Sequence, residues 1–243
     1  MDLTDKIVMV AGGAGGIGLG IAKGLAAEGC KVALADYNEE SLLEAAKAAD
    51  AKPPFLWRTC DVTDREQVTD LFQWLGRELG PIDILVNSAG INVGNRMMAN
   101  VDPADFDQVM AINTTGTFNC VHAVLPVMRE KRSGLIVNIV SLAGKHVMPL
   151  AGMPYCVSKF ATSALGTFVN LEECGNGIKV TNIYPGETNT PIIDKRSSPP
   201  PPEKRARMLQ PEDIAACVVA IAKLPPRAVV PELVITPPHM MLG

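Results

Sequence analysis

The chain has 243 residues, 47% of them apolar and 20% charged, with 22 Lys and Arg against 26 Asp and Glu. That composition is globular, and a net charge of −4 lacks the dense basic face that nucleic-acid binding requires. Length fits one large α/β domain over residues 1–243, with enough core to shape a pocket. Cys30, Cys60, Cys120, Cys156, Cys174 and Cys217 form no C-x-x-C pair, and three histidines are too few to complete a structural zinc site. No metal is therefore expected, and the cysteines read as reduced thiols. The opening MDLTDKIVMVAGG has no long apolar run behind a basic start. Later apolar stretches are broken by charge short of a membrane span. The expected location is cytoplasmic.

Residues 6–11 (KIVMVA) have a buried-strand pattern, and 16–28 form a helix opening on glycines. Strand 31–35 and helix 39–49 follow, then strand 55–60 and helix 64–79. Strand 82–87 leads to a long helical stretch, 103–129, expected in two parts. Strand 135–141, helix 155–173, strand 179–184, helix 211–223 and strand 229–236 complete the series. Short apolar strands alternating with helices predict a parallel seven-stranded sheet, doubly wound and Rossmann-type, with helices on both faces. Such sheets bind ligands beyond the carboxyl ends of their strands. Residues 188–210 contain SSPPPP, which cannot join a sheet. This segment is either a lid over a pocket or a surface loop.

The first strand runs into Ala11-Gly-Gly-Ala-Gly-Gly-Ile-Gly18. Two frames fit: Gly13, Gly15 and Gly18 as G-x-G-x-x-G, or Gly12, Gly16 and Gly18 as G-x-x-x-G-x-G. In either frame glycine lets backbone N–H groups approach a pyrophosphate at a helix N-terminus. The second strand ends at Asp36, where a carboxylate suits ribose hydroxyls and repels a 2′-phosphate. Gly15 and Tyr37 put no basic residue there instead, so the pattern favours NAD over NADP. Asp61 either caps the helix near Asp64 or meets the adenine amino group.

Tyr155 and Lys159 are four apart on one helical face, after a Pro154 suited to a first turn. A free phenol is a poor base at neutral pH, and a neighbouring ammonium favours the phenolate. The pair can exchange a proton with a substrate hydroxyl or carbonyl. Ser141 ends the fifth strand, Asn87-Ser-Ala-Gly90 follows the fourth, Asn113 lies in the long helix, and Pro185-Gly186 follows the sixth.

In this order the motifs resemble those of the short-chain dehydrogenase/reductase family, over nearly the whole chain. Its glycine loop is matched by Gly12, Gly16, Ile17 and Gly18, its adenine-contacting pair by Asp61 and Val62, and its N-N-A-G motif by Asn87, Ser88, Ala89 and Gly90. Its tetrad is matched by Asn113, Ser141, Tyr155 and Lys159, and its P-G-x-x-x-T by Pro185, Gly186 and Thr190, with Thr188 between. The resemblance implies an NAD-dependent oxidoreductase interconverting a secondary alcohol and a ketone. Tyr155 would be the acid/base, and Lys159 would lower its pKa and bind the nicotinamide ribose. Ser141 would polarise the substrate oxygen, and Asn113 would hold a relay water. Departures are Ala11 for threonine, Ser88 for asparagine, and an ending, Val234-Ile-Thr-Pro-Pro-His239, without the common acidic-glycine form. That ending weakens the expectation of a tetramer and leaves a homodimer through the long helices after strands four and five.

The substrate walls are expected from residues 92–100, 143–154 and 188–210. Within them Met97, Met98, Met148 and Met153 suit an apolar ligand or ordinary gap-filling, His146 a polar substrate group or an exposed loop position, and the cations Lys195, Arg196, Lys204, Arg205 and Arg207 an anionic substrate or a solvated charged loop. His122 and Cys156 read as packing or interface. Alternative activities are a 3-oxoacyl thioester reductase, disfavoured by Asp36, and a non-catalytic NAD(H)-sensing module, disfavoured by the intact tetrad.

Overall fold

A computed structural model describes residues 1–48, 51–195 and 199–240. Ala49 of the expected second helix and Arg196, Ser197 and Ser198 of the proline-rich segment lie outside the described residues. The strands are β1 (Ile7–Ala11), β2 (Lys31–Asp36), β3 (Leu56–Thr59), β4 (Ile84–Asn87), β5 (Gly134–Ile139), β6 (Ile178–Pro185) and β7 (Glu232–Ile235). They pair in the order β3-β2-β1-β4-β5-β6-β7, every pair parallel. Chain order reverses between β1 and β4, so the crevice opens beyond their carboxyl ends.

The central strands are apolar on both sides because each face carries helices. Helices α1 (Gly16–Ala27), α2 (Glu39–Ala48) and α8 (Pro211–Ala222) bury Ile21, Leu25, Leu42, Ile214 and Val218 on one face. Helices α3 (Arg65–Glu78), α5 (Thr117–Lys131) and α6 (Met153–Glu173) bury Leu71, Leu75, Val124, Met128 and Val169 on the other. Gly20 and Gly24 let α1 meet α8 closely. A Cβ on Gly20 would lie 2.6 Å from that of Pro211, and one on Gly24 3.2 Å from that of Ala215. Two short helices complete the set, α4 (Pro103–Met110) and α7 (Pro202–Arg205).

Several boundaries differ from the sequence reading for identifiable reasons. The long stretch is α4 and α5 joined by a wide π turn, Ala111–Gly116, so the helix is widened and offset rather than broken. Strand β5 stops at Ile139, and Ser141 begins a 3-10 turn, Leu142–Gly144, by accepting the Ala143 N–H. Strand β7 starts only at Glu232, because Pro231 has no N–H for the ladder and contributes its carbonyl to Asn182 instead. Helix α6 begins at Met153, two residues earlier than expected, with Pro154 in its first turn. Among the described residues no helix is long and apolar enough to cross a membrane.

A buried polar ladder crosses the sheet centre. Asn87, Asn138 and Asn182 are register neighbours on β4, β5 and β6. Asn87 donates to Asn138 (2.9 Å), Asn138 to Asn182 (3.0 Å), and Asn182 to the Ser163 carbonyl of α6 (2.9 Å). Each amide thereby satisfies the next inside a largely apolar layer, and of the ladder's own side-chain atoms the outer Asn87 Oδ1 is left without a protein partner. Gly166 is what lets α6 rest on the ladder: a Cβ there would fall 2.1 Å from Asn182 Oδ1 and 2.6 Å from Asn138 Nδ2. Gly166→Ala is expected to destabilise the fold by about 2–3 kcal/mol despite alanine's better helix propensity. Denaturant unfolding checks it, and a neutral or stabilising result would deny the ladder this role.

Candidate active site

The glycine loop follows from the need to turn between β1 and α1. Gly12 has φ +78°, and a Cβ there would lie 2.3 Å from the Ala89 amide nitrogen, so the backbone of the segment after β4 sits directly against it. A Cβ on Gly18 would lie 2.1 Å from the Gly12 carbonyl oxygen, so Gly18 supports the loop from below and does not line the cleft. Gly15 faces open space at the N-cap of α1. The structural frame is thus Gly12, Gly16 and Gly18, with Gly15 as the open step of the cradle. That geometry suits the close approach of a pyrophosphate to backbone N–H groups.

The loop opens into one cleft of about 1210 Å³. This exceeds the usual range for a single drug-sized ligand and accommodates a dinucleotide beside a small substrate. Along it lie Gly12, Gly15, Gly16, Ile17, Asp36, Tyr37, Asp61, Val62, Ala89, Gly90, Pro185, Gly186, Thr188 and Thr190, and at its far end Ser141, Tyr155 and Lys159. Asn87 and Asn113 do not line it; the first belongs to the ladder and the second stands behind Lys159.

At one end, Asp36 accepts the N–H groups of Tyr37 (2.9 Å) and, more weakly, Ala14 of the glycine loop (3.3 Å). Burial raises its carboxyl above the ordinary value, and these backbone bonds pull the other way. Tyr37 is exposed at the rim. Asp61 does not cap α3. Asp64 does so, accepting from Glu66 and Gln67, while Asp61 Oδ1 accepts from the N–H and hydroxyl of Thr63.

At the other end, the turn after β5 and the start of α6 bring the Ser141 side chain beside the Tyr155 phenol, close enough to favour its ionised form. Lys159 is 4% exposed, donates to the Ile139 carbonyl at 3.0 Å and stands 5.5 Å from the Tyr155 ring centre. Burial pushes the phenol up to about 12, with the nearby Ser141 side chain opposing, and pushes the lysine down to about 8. Proximity to Lys159 therefore does not bring Tyr155 below its ordinary value in the protein alone; desolvation prevails. Asn113 fixes the neighbouring wall: its amide accepts the Ile91 N–H (2.8 Å) and donates to the Ile91 carbonyl (3.0 Å) and Ser158 hydroxyl (3.0 Å). Its carbonyl accepts from the hydroxyls of Thr117 and Thr162. A Cβ on Gly90 would sit 3.4 Å from both Asn113 Oδ1 and Lys159 Nζ, so the segment after β4 passes closely over both.

The segment 188–210 folds over the cleft in its described parts. Thr188 bridges to Leu209, and Asn189 donates to the Leu209 carbonyl. A 3-10 turn, Pro191–Lys195, contributes Ile192 and Ile193 to the cleft, and α7 contributes Lys204. Arg205 ties the two halves, pairing with Asp194 and donating to the Pro200 carbonyl. Of the methionines considered, Met148 lines the cleft while Met97 and Met98 are exposed outside it. His146 is exposed and stands outside the lining, Cys156 is buried and donates to the Met148 carbonyl, and the His122 ring lies beside Phe118. The lining residues that the sequence reading missed include Glu187 and Met240, as well as Val140 and Leu142 on either side of Ser141. The only signal for Met240 was Pro237-Pro238, which forms a turn closed by the Met240 N–H on the Pro237 carbonyl.

A sequence model described as short chain dehydrogenase matches residues 6–200. A glycine betaine reductase of Emericella nidulans is 35% identical over 97% of this chain, which spans only 19% of that protein's length. An oxidoreductase of Staphylococcus saprophyticus is 33% identical, with 98% of this chain and 99% of that one covered. The closed form of a serine dehydrogenase complexed with NADP+ superposes with a TM-score of 0.88 at 26% identity, covering 98% of this chain and 97% of the other. The chain belongs to the short-chain dehydrogenase/reductase family and is an oxidoreductase of that family.

The depressed lysine has a consequence for stability. The unfolded chain holds Lys159 at its ordinary 10.5, the folded one at about 8, so the unfolded state binds more protons between those values. The lysine's contribution to wild-type stability therefore rises with pH across that window. Lys159→Met is expected to be more stable than wild type at pH 7, by roughly 1–3 kcal/mol, with the advantage shrinking towards pH 10. Denaturant unfolding of nucleotide-free protein at both pH values checks this; a constant difference would deny the buried charge its cost.

Proposed function

We propose that the chain interconverts a secondary alcohol and a ketone with NAD(H), using Tyr155 as acid/base. The observation that carries this reading is the convergence of Ser141, Tyr155 and buried Lys159 at the end of the cleft that begins on the glycine loop. The residues fit a dinucleotide. Gly12, Gly15, Gly16 and Ile17 would hold the pyrophosphate, Asp36 and Tyr37 the adenosine ribose, and Asp61 and Val62 the adenine. Asn87, Ala89 and Gly90 would form the wall, with Asn87 acting through the ladder and Gly18 from beneath the loop. Pro185, Gly186, Thr188 and Thr190 would border the nicotinamide, and Lys159 its ribose. Bound NAD supplies the hydride chemistry and, when oxidised, a positive charge near the phenol.

In ketone reduction Tyr155 donates its proton to the substrate oxygen while Ser141 donates a hydrogen bond to the same oxygen. A phenol held near 12 is fully protonated at neutral pH, so this direction finds its acid ready. In alcohol oxidation Tyr155 must first lose its proton. Lys159, still largely an ammonium at neutral pH, favours that phenolate. Asn113 anchors the wall behind Lys159 and is assigned the relay water. NAD is preferred to NADP because Asp36 occupies the end of β2, where a 2′-phosphate would meet its carboxylate. The solved relative carrying NADP+ makes this choice a matter for titration rather than of fold.

We also assign a homodimer to the outer face of α5 and α6, where Phe118, Phe160, Phe168 and Leu171 are exposed. Phe168 and Leu171 are 67% and 73% exposed, too much apolar surface on one helix for a face meeting only water. Sedimentation is expected to give a dimer that Phe168→Glu/Leu171→Glu dissociates; a wild-type monomer would refute this assignment.

The catalytic test is a screen of secondary alcohols with NAD+ and ketones with NADH, followed by Tyr155→Phe. Loss of the acid/base is expected to cost about 10²–10⁴ in kcat with nucleotide affinity retained. Wild-type rates in Tyr155→Phe would refute the assignment, and tighter binding of NADPH than NADH would refute the cofactor choice.

A further inference from the structure

The segment after β7 performs no role in the chemistry assigned above, yet it reaches the cleft. The Pro237-Pro238 turn sends Met240 back over Gly186. A Cβ on Gly186 would lie 3.0 Å from Pro237 Cδ and 3.2 Å from Met240 Sδ, so the segment is packed directly on the backbone that borders the nicotinamide end. The Glu187 N–H donates to the Met240 sulfur at 3.3 Å, and His239 Nε2 stands 3.6 Å from the Glu187 carboxylate. These contacts fix the thioether from one side. On another side Met240 joins Val140, Leu142, Met148 and the fully buried ring of Tyr184 in a small apolar cluster separate from the two main cores. Val140, Leu142 and Met148 line the cleft themselves, and Val140 and Leu142 flank Ser141 in the chain. The remaining side of Met240 faces the cleft.

From this geometry we propose that Met240 is a specificity-determining wall of the substrate site, and that with Met148 it receives an apolar substituent of the substrate next to the reacting carbon. Resting on the alcohol–ketone reading, it narrows the substrate class to secondary alcohols and ketones with one apolar arm. Both walls are unbranched thioethers on flexible stems, so the corner adapts to the length of that arm instead of matching one shape. The polar groups nearby, the Glu187 carboxylate and the Met240 sulfur, are engaged with His239 and the Glu187 N–H, and neither is needed to hold the arm.

The experiment is a kinetic profile of the full chain with NADH and linear methyl ketones of increasing chain length, for wild type, Met240→Ala and Met240→Gln. Nucleotide affinity and the unfolding transition are measured on each variant. Met240→Ala opens the corner, and the ratio of kcat/KM for long over short ketones is expected to rise about tenfold, through KM. Met240→Gln keeps the length but adds a polar end. It is expected to lower kcat/KM progressively as the chain lengthens, and it serves if the alanine variant fails to fold. Profiles of both folded variants within twofold of wild type would overturn the Met240 assignment while leaving the alcohol–ketone reading intact. If wild type binds NADH yet turns over no ketone or alcohol of the series, that reading falls first and the substrate wall with it.

Discussion

Lys159 places a cation where water hardly reaches, against the Ile139 carbonyl and behind a phenol that is itself held by protein. Burying an ammonium is costly, and a single carbonyl acceptor offsets only part of that cost. The surroundings must therefore be rigid enough to hold it. Its acceptor is the last residue of β5, its own helix is seated on the asparagine ladder through Gly166, and the wall beside it is fixed by Asn113. Each of these serves the same demand: one buried charge held at a set distance from one phenol.

The ladder explains how a sheet can carry that load. Three amides in register cross β4, β5 and β6 and end on α6, so the strands delivering Asn87 and Ser141 and the helix delivering Tyr155 and Lys159 share one polar seam. An apolar layer would pack as densely but would specify relative position less sharply, since amides accept only a few geometries. The π turn at Ala111–Gly116 works similarly. It directs the Asn113 amide towards Ile91 and its carbonyl towards two threonines, joining α5, α6 and the segment after β4 at a single residue.

Much of this was legible in the residues. Continuous apolar runs gave all seven strands, because strands covered on both faces leave a strong signal. The glycine loop and Tyr155–Lys159 were readable because each needs residue types that few other contexts require. Other features left no local trace. The frame of the glycines depends on which positions touch Ala89 and the loop carbonyl, a matter of three-dimensional approach. Asp61 and Asp64 look alike in sequence, and only the helix start separates them. Asn138 and Asn182 carry no local signal because register across strands is invisible along one strand, so Asn87 is legible in the sequence only as part of the N-N-A-G motif. Met240 reaches the cleft through a turn, which no periodicity announces.

The desolvation that lowers Lys159 also raises Tyr155 to about 12, so the titration of that phenol tests the pair most directly. The direct measurement is the ultraviolet titration of the phenol, taken as wild type minus Tyr155→Phe, with and without NAD+. The phenol is expected to ionise well above its ordinary range in the protein alone and at markedly lower pH with NAD+ bound. A Tyr155 that ionises at the same pH in both conditions would contradict that expectation.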